Sequence, residues 1–173
     1  MSRNSFDPRL LGSMVMMTAI VFVLTRVIQV PTPIVGYIHL GDVGIFFSAL
    51  AFGPLVGGVA GGLGTALADW TSPYAQWGIF SLLIHGAQGW VAGWLVMKLQ
   101  GVKGIVAAAV AGCIIVVGGY LLAGWILVGL AAALTEIPLN VVQVITGAVI
   151  SIPLYAAIRQ AYPPILRFGQ RRQ

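Results

Sequence analysis

The chain has 173 residues, of which 59% are hydrophobic and only 8% are charged, and its formal net charge is +5 at pH 7. A water-soluble domain carries about 25% charged residues because it needs a polar surface around its core. The composition therefore excludes a soluble globular domain and predicts an all-α integral membrane protein, with residues 1–173 forming a single transmembrane domain. At about 20 residues per crossing, the chain has room for a bundle of about six transmembrane helices.

Apolar stretches separated by glycine, proline and charged residues predict where the helices lie. In chain order, the predicted spans are residues 9–30, 41–52, 55–70, 77–97, 104–122 and 139–158. A loop over residues 31–40 follows the first span, and residues 98–103 form a basic connection after the fourth. The second and third spans are short enough to form a re-entrant hairpin instead. Residues 123–138 are apolar but contain the helix breaker Pro138, and their structure stays open at this stage.

The basic residues predict the orientation. Under six spans, eight of the nine fall on one side of the membrane: Arg3, Arg9, Lys98, Lys103, Arg159, Arg167, Arg171 and Arg172. Positive residues mark the cytoplasmic side, so both termini are expected in the cytoplasm of a cell with a bacterial-type plasma membrane. The positive charge also favours contact with anionic membrane lipid. No basic patch interleaved with aromatic residues indicates a nucleic-acid partner.

The remaining ionisable residues gather on the other side. Asp42, Asp69 and Glu136 lie at the outer ends of the second, third and sixth spans, Arg26 lies near the outer end of the first, and His39 lies close to Asp42 in sequence. The inner half of the bundle is almost purely apolar. This distribution predicts a pocket that opens to the outside.

Two polar stripes reinforce that prediction. One helical face of the fourth span carries Trp77, Ser81, His85 and Gln88, and one face of the sixth carries Glu136, Asn140, Gln143, Gly147 and Ser151. Polar groups are costly in a bilayer unless they face each other or a hydrated cavity. The stripes therefore line a binding pocket, or they hold the helices together by hydrogen bonds. Arg26 can pair with Asp42 or Asp69, or extend to the membrane surface.

Trp70, Tyr74 and Trp77 surround the connection between the third and fourth spans. They form either an aromatic belt at the membrane surface or a stacking platform for a flat ligand. His39 and Asp42 offer two metal ligands, but no third is evident. The sequence lacks the motifs of hydrolases, zinc proteases and nucleotide-binding loops. We therefore expect no enzyme activity, no metal and no cofactor.

Three segments resemble a known family. They are residues 31–42 (Pro-Thr-Pro-Ile-Val-Gly-Tyr-Ile-His-Leu-Gly-Asp), 52–58 (Phe-Gly-Pro-Leu-Val-Gly-Gly) and 136–143 (Glu-Ile-Pro-Leu-Asn-Val-Val-Gln). Together they are similar to the S components of energy-coupling-factor (ECF) vitamin transporters, in the riboflavin-type branch that includes hydroxymethylpyrimidine and pyridoxine carriers. The similarity extends over nearly the whole chain.

The resemblance implies a membrane subunit that captures a vitamin and has no ATPase of its own. A transmembrane coupling protein and two cytoplasmic ATPase subunits would drive release of the vitamin inside. The family's lid would fall on residues 34–39. With the polar and aromatic residues above, the expected substrate-binding residues are Arg26, Tyr37, His39, Asp69, Tyr74, Trp77, His85, Gln88, Glu136, Asn140 and Gln143.

Docking on the coupling protein is the point where the sequence departs from the family. Many S components carry two alanines four residues apart near the cytoplasmic end of the first span. Here Gly12 and Ser13 occupy that region, each followed by methionine four residues later. Rows of small residues in the third span, which include Gly57 and Gly61, form a close-packing face and are expected to share the docking role.

Two other functions are compatible with these residues. A proton-coupled secondary transporter would also place His85, Asp69 and Glu136 inside a bundle, although the sequence shows no internal repeat. A membrane assembly subunit without transport activity would not need polar stripes that converge on one side.

The orientation gives a direct prediction. In a chain whose Cys113 is replaced by alanine, single cysteines at Ser5 and Gln170 should resist a membrane-impermeant thiol reagent in intact cells, because both lie in the cytoplasm. Cysteines at Ser72 and Thr135 should react, because they lie in outer connections. Labelling of either terminus from outside would overturn the orientation.

Overall fold

The computed structural model describes residues 8–32 and 36–165, and most of these residues are helical. The helices are α1 (Pro8–Val27), α2 (Gly41–Phe52), α3 (Pro54–Trp70), α4 (Gly78–Leu99), α5 (Gly101–Val128), α6 (Leu130–Thr135) and α7 (Ile137–Ala161). All except α6 coincide with one of the six predicted spans. The prediction of an all-α membrane bundle of about six helices is therefore confirmed.

Four segments of the described chain are long and apolar enough to cross a membrane: Pro8–Val27, Ala75–Leu99, Gly101–Val128 and Leu130–Ala161. Helix α2 differs from them, because its 12 residues span only about 18 Å against about 30 Å of hydrocarbon. All 12 of its residues are buried. It packs against α1, α3, α4 and α7, so protein rather than lipid surrounds the central helix.

The turn between α2 and α3 lies at the end of the bundle opposite Asp42 and Asp69. Gly53 ends α2 with a φ of 83°, a conformation that favours glycine, and Pro54 begins α3. The turn lies beside Met97 and Gly93 near the basic end of α4. Helices α2 and α3 therefore run in opposite directions from a turn near the basic end of α4.

A small β-hairpin replaces the predicted loop after the first span. Helix α1 ends at Val27, and strand β1 (Gln29–Pro31) pairs antiparallel with β2 (Tyr37–His39), with Gln29 opposite His39. Strands of three residues are too short to show an alternating pattern in the sequence. The expected lid at residues 34–39 includes β2, whereas Ile34 and Val35 lie outside the described residues.

The region that the sequence left open contains the end of α5, the short helix α6 and the start of α7. Helix α5 continues to Val128, beyond its predicted end at Leu122, and Gly129 with a φ of 93° separates it from α6. The connection predicted at residues 98–103 is shorter in the structure. Helix α4 ends at Leu99 and α5 begins at Gly101, so Gln100 is the single residue between them. Of the basic residues that define the orientation, Arg3, Arg167, Arg171 and Arg172 lie outside the described residues.

The glycine rows of α3 pack against α4 rather than on the outside of the bundle. A Cβ on Gly57 would lie 2.6 Å from the carbonyl oxygen of Gly89, and a Cβ on Gly61 would lie 2.5 Å from that of His85. Both glycines are buried. Gly57 and Gly61, which the sequence predicted to share the docking role, therefore face α4 and present no open surface here.

The two docking positions predicted in α1 point in different directions. Ser13 is buried, and its hydroxyl donates to the carbonyl oxygen of Arg9. Gly12 is exposed, and no neighbouring atom lies within 4 Å of the position that a Cβ would occupy. Of these two predicted docking residues, Gly12 is therefore the one exposed on the surface of α1.

The α3–α4 contact predicts the effect of adding one methyl group. In Gly89→Ala the new Cβ would overlap the carbonyl oxygen of Gly57, and a rigid backbone has to move to make room. Overpacking of this kind costs about 1–3 kcal/mol, so thermal unfolding in detergent should occur at a lower temperature than in the wild type.

Gly118→Ala is the matched control. Gly118 is also helical, but no neighbouring atom lies within 4 Å of its Cβ position, and alanine favours a helix over glycine by about 1 kcal/mol. This variant should be as stable as the wild type or more so. Equal stability of the two variants would show that α3 and α4 are not in close contact.

Candidate functional site

Asp42, near the start of α2, connects three helices through its carboxylate. Its side chain is fully buried. One oxygen accepts a hydrogen bond from the amide nitrogen of Gln88 on α4, and the other accepts one from that of Gln143 on α7, at 2.7 Å. A Cβ on Gly147 would overlap Asp42, so glycine at that position allows α7 to approach the carboxylate. The two predicted polar stripes therefore meet at a residue that belongs to neither.

The second atom of each glutamine amide extends this network. The carbonyl oxygen of Gln143 accepts the backbone N–H of His39 at 3.0 Å, which joins β2 to α7. The carbonyl oxygen of Gln88 lies 2.7 Å from Nδ1 of His85. Because the Gln88 amide nitrogen donates to Asp42, its carbonyl must accept, and the proton of His85 therefore lies on Nδ1. Nε2 of His85 is buried and has no hydrogen-bond partner among the described residues.

The hairpin is held at two further points. Nδ1 of His39 accepts the backbone N–H of Gly41 at 3.0 Å. Burial, together with the neighbouring His85, lowers the pKa of His39 well below its ordinary value, so this ring is neutral. The Tyr37 hydroxyl donates to a carboxylate oxygen of Asp69 at the end of α3. Burial, followed by the charge and hydrogen bond of Asp69, raises the pKa of the Tyr37 phenol well above its ordinary value.

Beneath the hairpin lies a cavity of about 510 Å³, its open mouth included. The lining comes from the hairpin and from helices α3 to α7, and it consists of Gly36, Tyr37, His39, Asp69, Trp77, Ser81, Tyr120, Gly124, Val128, Ala133, Glu136, Asn140 and Gln143. The cavity thus combines aromatic surfaces with carboxylate, amide and imidazole groups.

The structure brings seven of the eleven predicted binding residues to the cavity wall: Tyr37, His39, Asp69, Trp77, Glu136, Asn140 and Gln143. Gln88 and His85 lie behind the wall in the Asp42 network. Tyr74 supports the wall from outside, with its ring centroid 4.7 Å from that of Tyr37.

Arg26 does not belong to the cavity. It is exposed, and its guanidinium donates at 3.4 Å to the carbonyl oxygen of Thr71. Arg26, predicted to bind substrate, therefore does not line the described cavity, and the hydrogen bond described for it is to Thr71 and not to Asp42 or Asp69. Arg26 lies at the end of α1, before the hairpin begins, and outside the cavity that the hairpin covers.

Sequence reasoning missed Tyr120, the main contribution of α5 to the cavity. Its hydroxyl lies 2.7 Å from that of Ser81, and its ring centroid lies 6.0 Å from that of Trp77 and 5.6 Å from that of His85. A single tyrosine in the apolar run of α5 was the available signal, because a buried hydroxyl needs a hydrogen-bond partner.

The structure also supplies the third potential metal ligand that the sequence did not reveal. Ligand atoms of His39, Asp42 and His85 lie within 4.8 Å of one another, and all three residues are buried. However, both Asp42 oxygens, Nδ1 of His39 and Nδ1 of His85 are already engaged in hydrogen bonds. The cluster is therefore organised as a hydrogen-bonded network.

Comparison with known proteins places the site in context. Residues 9–160 match the model of the family described as "ECF-type riboflavin transporter, S component". The chain is 33% identical to the "Thiamine precursor transporter HmpT" of Lactococcus lactis subsp. cremoris (strain MG1363) over 141 residues, which cover 78% of each chain. It is 37% identical over 147 residues to an uncharacterized protein of Pyrococcus woesei, covering 84% of this chain and 99% of that one.

Two solved structures share the fold at low sequence identity. The S component of a bacterial ECF transporter superposes with a TM-score of 0.75 at 18% identity, covering 90% of this chain and 98% of the other. The S component for biotin from an ECF-type ABC transporter superposes with a TM-score of 0.67 at 19% identity, covering 94% and 95%.

The Asp42 network predicts the result of an isosteric substitution. In Asp42→Asn one carboxylate oxygen becomes an NH₂ group, so one of the two glutamine donors must face another donor. A buried donor without a partner costs about 1–3 kcal/mol. Because 1 kcal/mol shifts the melting temperature of a protein of this size by about 2–4 °C, unfolding in detergent should occur about 2–12 °C lower.

A second substitution tests whether the loss comes from this contact. When Asp42→Asn is combined with Gln143→Glu, the new amide at position 42 donates to the new carboxylate at position 143, which can still accept the His39 N–H. The double variant should regain most of the lost stability. An unchanged melting temperature in Asp42→Asn would contradict the network.

Proposed function

The chain belongs to the family of ECF-type riboflavin transporter S components, and from this membership we propose that it captures a small heteroaromatic vitamin or vitamin precursor from outside the cell. The observation that carries the proposal is the cavity beneath the β1–β2 hairpin. It combines aromatic rings with polar side chains, and it lies at the end of the bundle away from Lys98 and the Gly53 turn.

The cavity wall supports a flat ligand with polar substituents. Tyr37, Trp77 and Tyr120 offer ring faces for stacking. Asn140 and Gln143 from α7 offer amide groups, and His39 offers a neutral imidazole. The relative whose name states a thiamine precursor as its cargo supports a vitamin precursor as the ligand.

The proposed import requires partner subunits. The sequence contains no nucleotide-binding motif, and in the proposed mechanism the free energy for concentrative uptake comes from a coupling protein and two cytoplasmic ATPase subunits. Both termini of the proposed transporter subunit lie in the cytoplasm, where these partners assemble. The exposed face of α1 around Gly12 is the proposed contact with the coupling protein.

Reconstitution separates this function from proton-coupled transport. Vesicles that contain the chain alone should bind the vitamin or precursor that copurifies with it, identified by mass spectrometry, without accumulating it. Addition of the coupling protein, the two ATPase subunits and ATP should produce accumulation. Accumulation by the lone chain under a proton gradient would contradict the proposal and support a secondary transporter.

A substitution in the wall tests the location of the site. Asn140 lines the cavity and is 7% exposed, so alanine at this position removes a polar group that the ligand can reach. Asn140→Ala should weaken binding of the copurifying ligand about 5- to 150-fold, the equivalent of a lost buried hydrogen bond of about 1–3 kcal/mol, as measured by isothermal titration calorimetry.

Ser151→Ala provides the control on the same helix. Ser151 is buried about three turns further along α7, where its hydroxyl donates to the carbonyl oxygen of Ala148 within the helix. This substitution should leave affinity unchanged. Normal binding by Asn140→Ala would place the ligand elsewhere.

A further inference from the structure

The cavity contains two carboxyl groups that each have one buried oxygen without a hydrogen-bond partner among the described residues. Asp69 at the end of α3 is 1% exposed, and its Oδ2 has no hydrogen-bond partner among the described residues. Glu136, between α6 and α7, has a buried Oε1 with no such partner. Both residues line the cavity. Buried carboxylate oxygens without a donor are costly, so these two atoms point to a ligand that supplies donors.

No positively charged residue within the described cavity lining balances these groups. The lining contains neither lysine nor arginine, and Arg26 lies outside it against the carbonyl oxygen of Thr71. His39, the histidine of the lining, is neutral and uses Nδ1 to accept the Gly41 N–H. The described wall therefore carries two acidic groups and no compensating cation.

We propose that the cavity selects its ligand by positive charge and takes a protonated nitrogen heterocycle or an amino-substituted heterocycle as a cation. N–H groups of the ligand donate to Asp69 and Glu136, while its ring lies against the aromatic residues Tyr37, Trp77 and Tyr120. This inference rests on the proposed function, and it specifies the charge and donor pattern of the captured molecule.

Three physical effects favour such a ligand. Hydrogen bonds between an ionised donor and a carboxylate are about twice as strong as neutral ones. A cation between two carboxyl groups also favours their ionised forms, which strengthens both contacts. Aromatic faces also attract cations, because the ring quadrupole presents negative charge at each face.

The same wall disfavours anionic ligands. A ligand carboxylate or phosphate would face Asp69 and Glu136 without a basic side chain from the described wall to stabilise it. The fold itself does not impose this preference, because the S component for biotin, an anionic ligand, shares the fold at 19% identity. The charge preference would therefore be set by the side chains of this cavity.

Glu136 also lies close to the hairpin. A Cβ added to Gly36 would lie 3.6 Å from Glu136 Oε2, so the carboxylate lies near the residue that precedes β2. Tyr37, the next residue, donates to Asp69. The two acidic groups therefore lie beside consecutive residues at the start of β2, and a ligand bridging them would lie beneath the hairpin.

A matched ligand series tests the proposal. The probes are pyridine and pyrimidine rings that carry an aminomethyl, a hydroxymethyl or a carboxylate group at the same position, so that only charge and donor pattern change. Binding to the purified chain is measured by ligand-detected NMR and by competition with the copurifying ligand. The aminomethyl compounds should bind at least about 10-fold more tightly than the hydroxymethyl compounds, and the carboxylates should not bind.

Glu136→Gln and Asp69→Asn keep the side-chain shapes and remove the charges. Each should weaken binding of the aminomethyl compounds about 10- to 100-fold and change binding of the hydroxymethyl compounds by less than about 3-fold. Unchanged melting temperatures in detergent establish that the variants remain folded. Glu136→Gln is the more direct of the two, because Asp69 also accepts the Tyr37 hydroxyl.

The outcomes separate this inference from the proposed function. Equal binding of aminomethyl and hydroxymethyl compounds, preference for the carboxylates, or failure of every aminomethyl compound to bind would overturn charge selection. Capture of neutral riboflavin or anionic biotin by the chain, with affinity unchanged in Glu136→Gln, would overturn it as well while leaving vitamin capture intact. If the coupled transporter accumulates none of the copurifying ligand, the proposed function fails independently.

Discussion

The rest of the site depends on one buried carboxylate. Asp42 accepts one amide hydrogen bond from Gln88 on α4 and one from Gln143 on α7. Gln88 is also hydrogen-bonded to His85, and Gln143 also accepts the backbone N–H of His39. A charge in a low-dielectric interior is tolerated only when its hydrogen-bonding capacity is filled. The carboxylate therefore fixes the relative positions of α2, α4, α7 and the hairpin.

Close helix packing is the second requirement, and glycine provides it. Gly147 allows α7 to reach Asp42, while Gly57 and Gly89 bring α3 and α4 into backbone contact. Association of helices in a membrane lacks the hydrophobic driving force available in water, so it depends on van der Waals contact and interhelical hydrogen bonds. The short helix α2 is possible in this setting because four other helices cover it.

The helix packing and the cavity wall depend on different side chains. Two S-component structures share the arrangement of helices with this chain at 18% and 19% identity, and one of them is named for biotin. A shared fold leaves the ligand open when the packing contacts and the cavity wall involve different side chains. In this chain the packing contacts include Gly57 and Gly89, whereas the wall includes Asp69, Tyr120 and Glu136.

The sequence by itself determined the membrane location, the all-α class, the break at Gly53 and the concentration of polar residues at one end, because these follow from composition and local periodicity. Tertiary structure decided which polar groups line the cavity and which lie behind it. Gln143 and Asp42 are 101 residues apart in the chain, and no local pattern predicts that they share a hydrogen bond. Tyr120 lines the cavity and Arg26 lies outside it because of how α5 and the hairpin pack against the other helices. Burial is a property of the assembled helices, so the sequence alone did not show it.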